Sequence, residues 1–256
     1  VDRKKKLYLN LARRMAHCFR CGFAARAEGF DAVARMYGFT VQPALHVDAA
    51  PPEPIAFPPH YSTAWESYYG RQAWEYLLAR HVTPPQIVGY RLGFCPQGSY
   101  AQRIILPVFS RGLLRTWQAR SLIGRLPKYI TAPGSPPHQL FNLDRASKRR
   151  VLVLVEGVFD ALRLPNYAVA LLGKEWGPEK RAAILATNPA RIFIALDRDG
   201  TADANSNDIA YDFRGLVPVD ALPIHGKDLG EVRPADLAPL LAILRAAEVP
   251  PEPGAS

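Results

Sequence analysis

The chain has 256 residues, with 32 Lys+Arg against 23 Asp+Glu, a formal net charge of +9 and a sequence pI of about 9.6. At 48% hydrophobic and 21% charged residues it is too apolar for intrinsic disorder, and no apolar run is long enough to span a bilayer as a helix. Three Cys make no disulfide framework and point to a reducing compartment, the cytoplasm, while the positive charge biases the chain toward polyanionic partners.

Residues 1–40 are basic and carry the pair Cys18 and Cys21. The charged start, Asp2 to Lys6, is followed by no apolar run, which reads against a secretory signal; Val at position 1 is expected of a chain that begins inside a longer protein. Residues 41–60 contain six Pro and read as an extended linker. Residues 61–150 form a mixed segment. It opens with a helical stretch rich in aromatic residues (Trp65, Tyr68, Tyr69, Trp74, Tyr76, Leu77 and Leu78), and Thr83-Pro84-Pro85 then has the form of a second helix start. Strands are expected over Arg103 to Phe109 and Leu113 to Arg120. Cys95 stands alone and reads as a small buried apolar residue.

From Val151 the pattern changes. Val151-Leu152-Val153-Leu154-Val155 is the continuous apolar run of a strand buried on both faces. A helix over Phe159 to Leu164, a strand over Tyr167 to Leu172, a helix over Pro178 to Ala186, a strand over Arg191 to Leu196 and a weaker strand over Val219 to Ile224 follow. This alternation predicts an α/β domain with a parallel, Rossmann-like sheet over residues 151–247, and residues 248–256 read as a disordered tail.

Functional groups in open α/β sheets gather at the carboxyl ends of the strands. Those ends carry Glu156, then Asp197 and Asp199, then Asp228. Asp197 and Asp199, two apart in an extended segment, point the same way. Four carboxylates at one rim repel one another unless they are protonated or share cations, and hard Mg²⁺ or Mn²⁺ ions are the natural partners. Asp160, one helical turn past Glu156, reads either as a support for that cluster or as a first-turn residue favoured by the helix dipole.

These residues resemble a known family. Val155 to Asp160, Ala170 to Lys174, Leu196 to Gly200 and Gly226-Lys227-Asp228 are similar to the successive motifs of a Toprim domain, the catalytic fold shared by DnaG-type primases, topoisomerases and some nucleases. Upstream, Arg103 to Pro107, Gln118-Ala119-Arg120, Lys128 to Pro133 and Leu140-Phe141-Asn142 resemble the amino-terminal half of the DnaG-type RNA polymerase domain, and His17 to Gly22 resembles the second half of the primase zinc ribbon. The resemblance implies a DNA-templated RNA primase, and the short stretch after Asp228 reads either as a compact phage or mobile-element type or as a truncated chain. Glu156, Asp197, Asp199 and Asp228 would bind the catalytic ions, and Arg103, Arg120, Lys128, Tyr129 and Lys174 would contact template or nucleotide. Partners would be single-stranded DNA, NTPs and the RNA–DNA product, with a replicative helicase in trans and no membrane.

The sequence departs from the family in three places. A structural Zn²⁺ needs four ligands, whereas only Cys18 and Cys21 are present, and His17, adjoining Cys18, is expected to point away from it. The resemblance places the other pair just before Val1, so Zn²⁺ is expected only when that pair is present. No helicase-binding domain follows Asp228 in this sequence. The stretch Thr201 to Phe213 is rich in Asn and Asp and lacks the long apolar helix usual there, so a short helix is expected. Two other functions compete with the primase. A Toprim metal-dependent nuclease is disfavoured by the half-ribbon and Lys128-Tyr129, and a non-catalytic single-strand binder by the crowded carboxylates.

Overall fold

The computed structural model describes residues 7–10, 15–18, 24–26, 30, 33–34, 36–38, 55–136, 138–173, 175–197, 202–224, 226 and 228–248, with backbone alone at 7–10, 15, 17–18, 24–26 and 202–205. The chain divides into two compact units, Val1–Glu53 and Pro54–Ser256. In the first unit, β1 (Leu7–Asn10), β2 (Met15–Cys18) and β3 (Ala24–Arg26) form an antiparallel sheet in that order. Ala16, Phe30 and Ala34 are its buried residues. Cys18 ends β2, paired with Leu7; Cys21 and the Cys18 side chain fall outside the described residues, as does the tail beyond Glu248.

The second unit opens with α1 (Tyr68–Ala79) and α2 (Pro84–Gly89). Ser67 caps α1 by accepting from the Gly70 N–H at 3.1 Å. Gly70, Ala73 and Leu77 recur at helical spacing and form the buried face. Only glycine fits at 70, because a Cβ there would lie 2.3 Å from the Ala64 carbonyl oxygen. Pro84 occupies the first turn of α2, where its missing N–H has no helical acceptor to lose. Gln86 accepts from the Thr83 N–H at 2.8 Å, and its amide donates to the Leu162 carbonyl at 2.6 Å, tying α2 to the carboxyl-terminal half of the unit.

Next come β4 (Gly93–Cys95), β5 (Arg103–Ser110), β6 (Leu113–Ser121) and β7 (Tyr129–Thr131), an antiparallel sheet in sequence order. The Cys95 thiol is fully buried and pushed up to about 11 by burial, the inert small apolar residue that the sequence predicts. After α3 (Leu143–Ala146) the parallel part begins: β8 (Val151–Val155), α4 (Val158–Arg163), β9 (Ala168–Ala170), α5 (Pro178–Leu185), β10 (Arg191–Ala195), α6 (Ala202–Phe213) and β11 (Val219–Ala221). The strand order is β11-β10-β8-β9, all parallel. Residues of β8 alternate between two cores. Val151, Val153 and Val155 enter the larger one, shared with α1, β5 and α4, while Leu152 and Leu154 enter the one under α5 and α6. Two short 3₁₀ turns and α7 (Leu237–Glu248) close the unit.

This architecture is the α/β class expected, with a parallel and an antiparallel sheet. Two details differ. Helix α6 runs twelve residues where a short helix is expected, because Ile209 and Phe213, one turn apart, are both buried in the second core and extend the helix past its polar start. Strand β11 stops at Ala221, three residues early. Among the described residues no helix is long and apolar enough to cross a membrane.

Candidate functional site

The parallel strands set the site. Val155 of β8 is level with Ala195 of β10, so both chains leave the sheet at the same rim. Glu156 follows the first and Asp197 the second. Beyond β11 the chain reaches Asp228, which opens the turn Leu229–Glu231 and caps it by accepting from the Glu231 N–H at 2.9 Å. Asp160 lies in the first turn of α4, whose six residues are all buried.

Asp160, Asp197 and Asp228 each present a carboxylate oxygen, all within 4.8 Å of one another. Asp160 is the anchor of this group. One of its oxygens accepts from the Gly157 N–H at 3.0 Å, the other from the Gly230 N–H at 2.8 Å. It therefore bolts the start of α4 to the turn that carries Asp228. Burial first, then the charges of Asp228 and Asp197, push its carboxyl from 3.8 up to about 7, against the two backbone donors. A Cβ at position 230 would lie 2.8 Å from Asp160 Oδ1 and 3.2 Å from Asp228 Oδ1, so the close approach of this turn requires glycine.

The site therefore differs in composition from the sequence-based expectation. Asp197 and Asp228 are in the trio. Glu156 is half-buried at the end of β8 and is not one of the three. Asp199 and Lys174 lie outside the described residues. Asp160, ambiguous in sequence, has the best-defined geometry of the three. Three crowded hard-oxygen donors are compatible with a divalent cation.

A basic and aromatic wall stands beside the trio. Arg120 of β6 is buried, pairs in register with Tyr129 of β7, and its guanidinium carbon lies 4.9 Å from the Tyr129 ring centroid. Its Nε donates to Tyr76 Oη at 3.0 Å. Burial raises the Tyr129 hydroxyl pKa, Arg120 lowers it, and the Asp160 carboxylate adds to the rise, so Tyr129 lies near the acidic trio. Arg80 lies 5.6 Å from the ring centroids of both Tyr76 and Phe159, and Phe159 adjoins Asp160. Arg103 of β5 is buried rather than a solubilising charge at a strand edge, and it donates to the Ala119 carbonyl at 3.2 Å. Burial lowers its pKa, and the neighbouring Arg125 charge adds to the effect. Lys128 is exposed at the start of β7. None of the ion pairs between described residues involves Arg80, Arg103, Arg120, Arg125 or Lys128. Tyr76, Arg80, Arg125 and Gly230 were not singled out by sequence as site residues. Tyr69 and Tyr76 of α1 and Arg80, which caps its end, are seven and four residues apart and share one helical stripe, which is the signal available for Tyr76 and Arg80.

No protein-family model and no curated protein matches the sequence. Solved structures do match the fold. A DnaG primase catalytic domain bound to ssDNA superposes with a TM-score of 0.64 at 18% identity, covering 74% of this chain and 75% of that one. The Aquifex aeolicus primase, with its zinc-binding and RNA polymerase domains, gives 0.57 at 19% identity over 93% of this chain and 75% of that one. The primase fragment of the bacteriophage T7 primase–helicase protein gives 0.55 at 12% identity, covering 90% of each chain. The parallel sheet with its acidic rim, preceded by the antiparallel sheet with its basic wall, is the fold of a DnaG-type primase catalytic core.

Proposed function

We propose that the protein is a DNA-templated RNA primase that joins NTPs on single-stranded DNA. The observation that carries the reading is the pairing, on this fold, of three converging carboxylates with a wall of cations that have no carboxylate partner among the described residues. Divalent cations held by Asp160, Asp197 and Asp228, with Glu156 and Asp199 as further expected ligands, would neutralise charge on the reacting phosphates. The 3′-hydroxyl of one nucleotide attacks the α-phosphorus of the next triphosphate, and pyrophosphate leaves.

The chain's own residues bind and orient. Arg120, held by Tyr76 and packed on Tyr129, presents a fixed guanidinium plane suited to bidentate phosphate contact. Arg80, over the Tyr76 ring, adds charge beside it, and Lys128 and Lys174 are expected to meet the template backbone and the triphosphate. Tyr129 offers its ring to a base or sugar. The three Cys, one of them an inert buried thiol, suit a reducing cytoplasm. A replicative helicase acting in trans would deliver the single strand.

The test is de novo synthesis on mixed single-stranded DNA templates with labelled NTPs and Mg²⁺, comparing wild type with Asp197→Ala. Short RNA from the wild type alone supports the reading. Template cleavage without synthesis replaces the primase with a Toprim nuclease.

A further inference from the structure

Strands β6 and β7 are joined by a tight tip, Leu122 to Pro127. Its root is well held: the Ser121 N–H donates to the Lys128 carbonyl and the Leu122 N–H to the Gln102 carbonyl, each at 3.0 Å. The Arg125 N–H donates to Ser121 Oγ at 2.8 Å, which folds the tip back on itself. Two aliphatic side chains project from it, Ile123 at 60% and Leu126 at 81% exposure. Arg125 and Lys128 flank them in the loop, and Arg125 is close enough to the buried Arg103 to lower its pKa; none of the three has an ion pair with a described residue. The root pair, Arg120 and Tyr129, borders the acidic trio.

Exposed aliphatic side chains flanked by exposed cations that have no ion pair with a described residue match a ligand that is flat and apolar on one surface and anionic along its edge. An unstacked nucleotide has that form: a base face for the aliphatic groups and phosphates for the cations. Leu, Ile and Pro are among the side chains that wedge against or between bases in nucleic-acid complexes. The tip adjoins the Arg120–Tyr129 pair that is proposed above to hold phosphate and base, so a strand bound there runs past it.

We propose that this tip is a base-stacking wedge for single-stranded DNA, with Ile123 and Leu126 against the face of an unpaired base and Arg125 and Lys128 on the flanking phosphates. The inference rests on the primase reading and adds to it a place where the template is gripped by its bases. Base-face contact is insensitive to salt, whereas phosphate contact is not.

The test uses the full chain and an oligodeoxynucleotide of about 16 nucleotides carrying one 2-aminopurine at successive positions. Binding is followed across a salt series. The Ile123→Ser/Leu126→Ser double variant is expected to bind about fivefold to tenfold more weakly at every salt concentration, with an unchanged salt slope, and to lose the 2-aminopurine response at one position. The Arg125→Gln/Lys128→Gln variant is expected to flatten the slope by about 1.4, at 0.7 per phosphate contact on a single strand, and to keep that response. Both changes are at exposed positions, and equal melting temperatures check that the fold is intact. A wild type that makes primers and an apolar double variant with wild-type affinity and fluorescence overturn the wedge alone. A wild type that neither binds the strand nor polymerises overturns the primase reading itself.

Discussion

Replacing Asp160 by Asn keeps the shape of the side chain and removes its charge. In the unfolded chain this carboxyl ionises near 3.8; in the metal-free folded chain it holds its proton to about 7. Between those values the unfolded state binds fewer protons than the folded one, so stability falls as pH rises from 4 to 7 and the loss is complete above 7. A gap of about 3 pH units at 1.36 kcal/mol each makes that loss close to 4 kcal/mol. Asn escapes it at every pH. The amide, however, has one carbonyl oxygen for two donors, Gly157 N–H and Gly230 N–H. One of them then faces an NH₂ group, at a cost of about 1–3 kcal/mol. The net expectation at pH 8 in EDTA is stabilisation by about 2 kcal/mol, or roughly 4–8 °C in Tm. At pH 4 the charge advantage is gone and the variant melts below wild type. Added Mn²⁺ reverses the order at pH 8, because the ion binds the wild-type trio more tightly. Calorimetric melts from pH 4 to 9 provide the assay. Parallel Tm–pH curves for the two proteins would refute the electrostatic account of the trio.

Gly230→Ala places a Cβ 2.8 Å from Asp160 Oδ1 and displaces the carboxylate or its N–H donor; loss of one charge-assisted bond, about 1.5–3 kcal/mol, should weaken Mn²⁺ binding by about tenfold to a hundredfold in calorimetric titration, and unchanged affinity would contradict it. Tyr76→Phe keeps the ring under Arg80 and deletes the hydroxyl that accepts from Arg120. Single-strand affinity and KM for NTP should worsen by about threefold to tenfold with Tm nearly unchanged; a fall in Tm without a change in KM would assign Tyr76 a purely structural role. Lys180→Met removes a buried ammonium whose Nζ donates to the Leu171 and Glu175 carbonyls at 2.7 and 2.6 Å. Urea unfolding should show a loss of about 2 kcal/mol, the two bonds being offset in part by the desolvation of the charge; wild-type stability would contradict that.

The parallel half is legible in the sequence because burial on both faces leaves an unmistakable apolar run in β8 and β10, and because strand ends carry the acids. Arg103 and Arg120 stand out in the sequence because basic residues interrupt apolar strands, whereas the register that sets Arg120 against Tyr129 and Arg103 against Ser121 does not. What the sequence hides is set by tertiary closure. Asp160 joins the trio only when the turn at Gly230 folds over the start of α4, a contact seventy residues apart in the chain. Tyr76 looks like one more aromatic on an amphipathic helix until β6 brings Arg120 to its hydroxyl. The length of α6 is masked by its polar first half, although two buried side chains one turn apart hold the second.

The central claim is that the acidic rim and the basic wall act together on NTPs and a DNA template. The most direct measurement is therefore synthesis of labelled RNA on single-stranded DNA by wild type, Asp197→Ala and Arg120→Ala, with Mg²⁺ and then Mn²⁺. The account predicts short RNA products from the wild type, none from Asp197→Ala, and reduced yield with raised NTP and template requirements from Arg120→Ala. Equal RNA yields from all three proteins, or template cutting in place of synthesis, would contradict it.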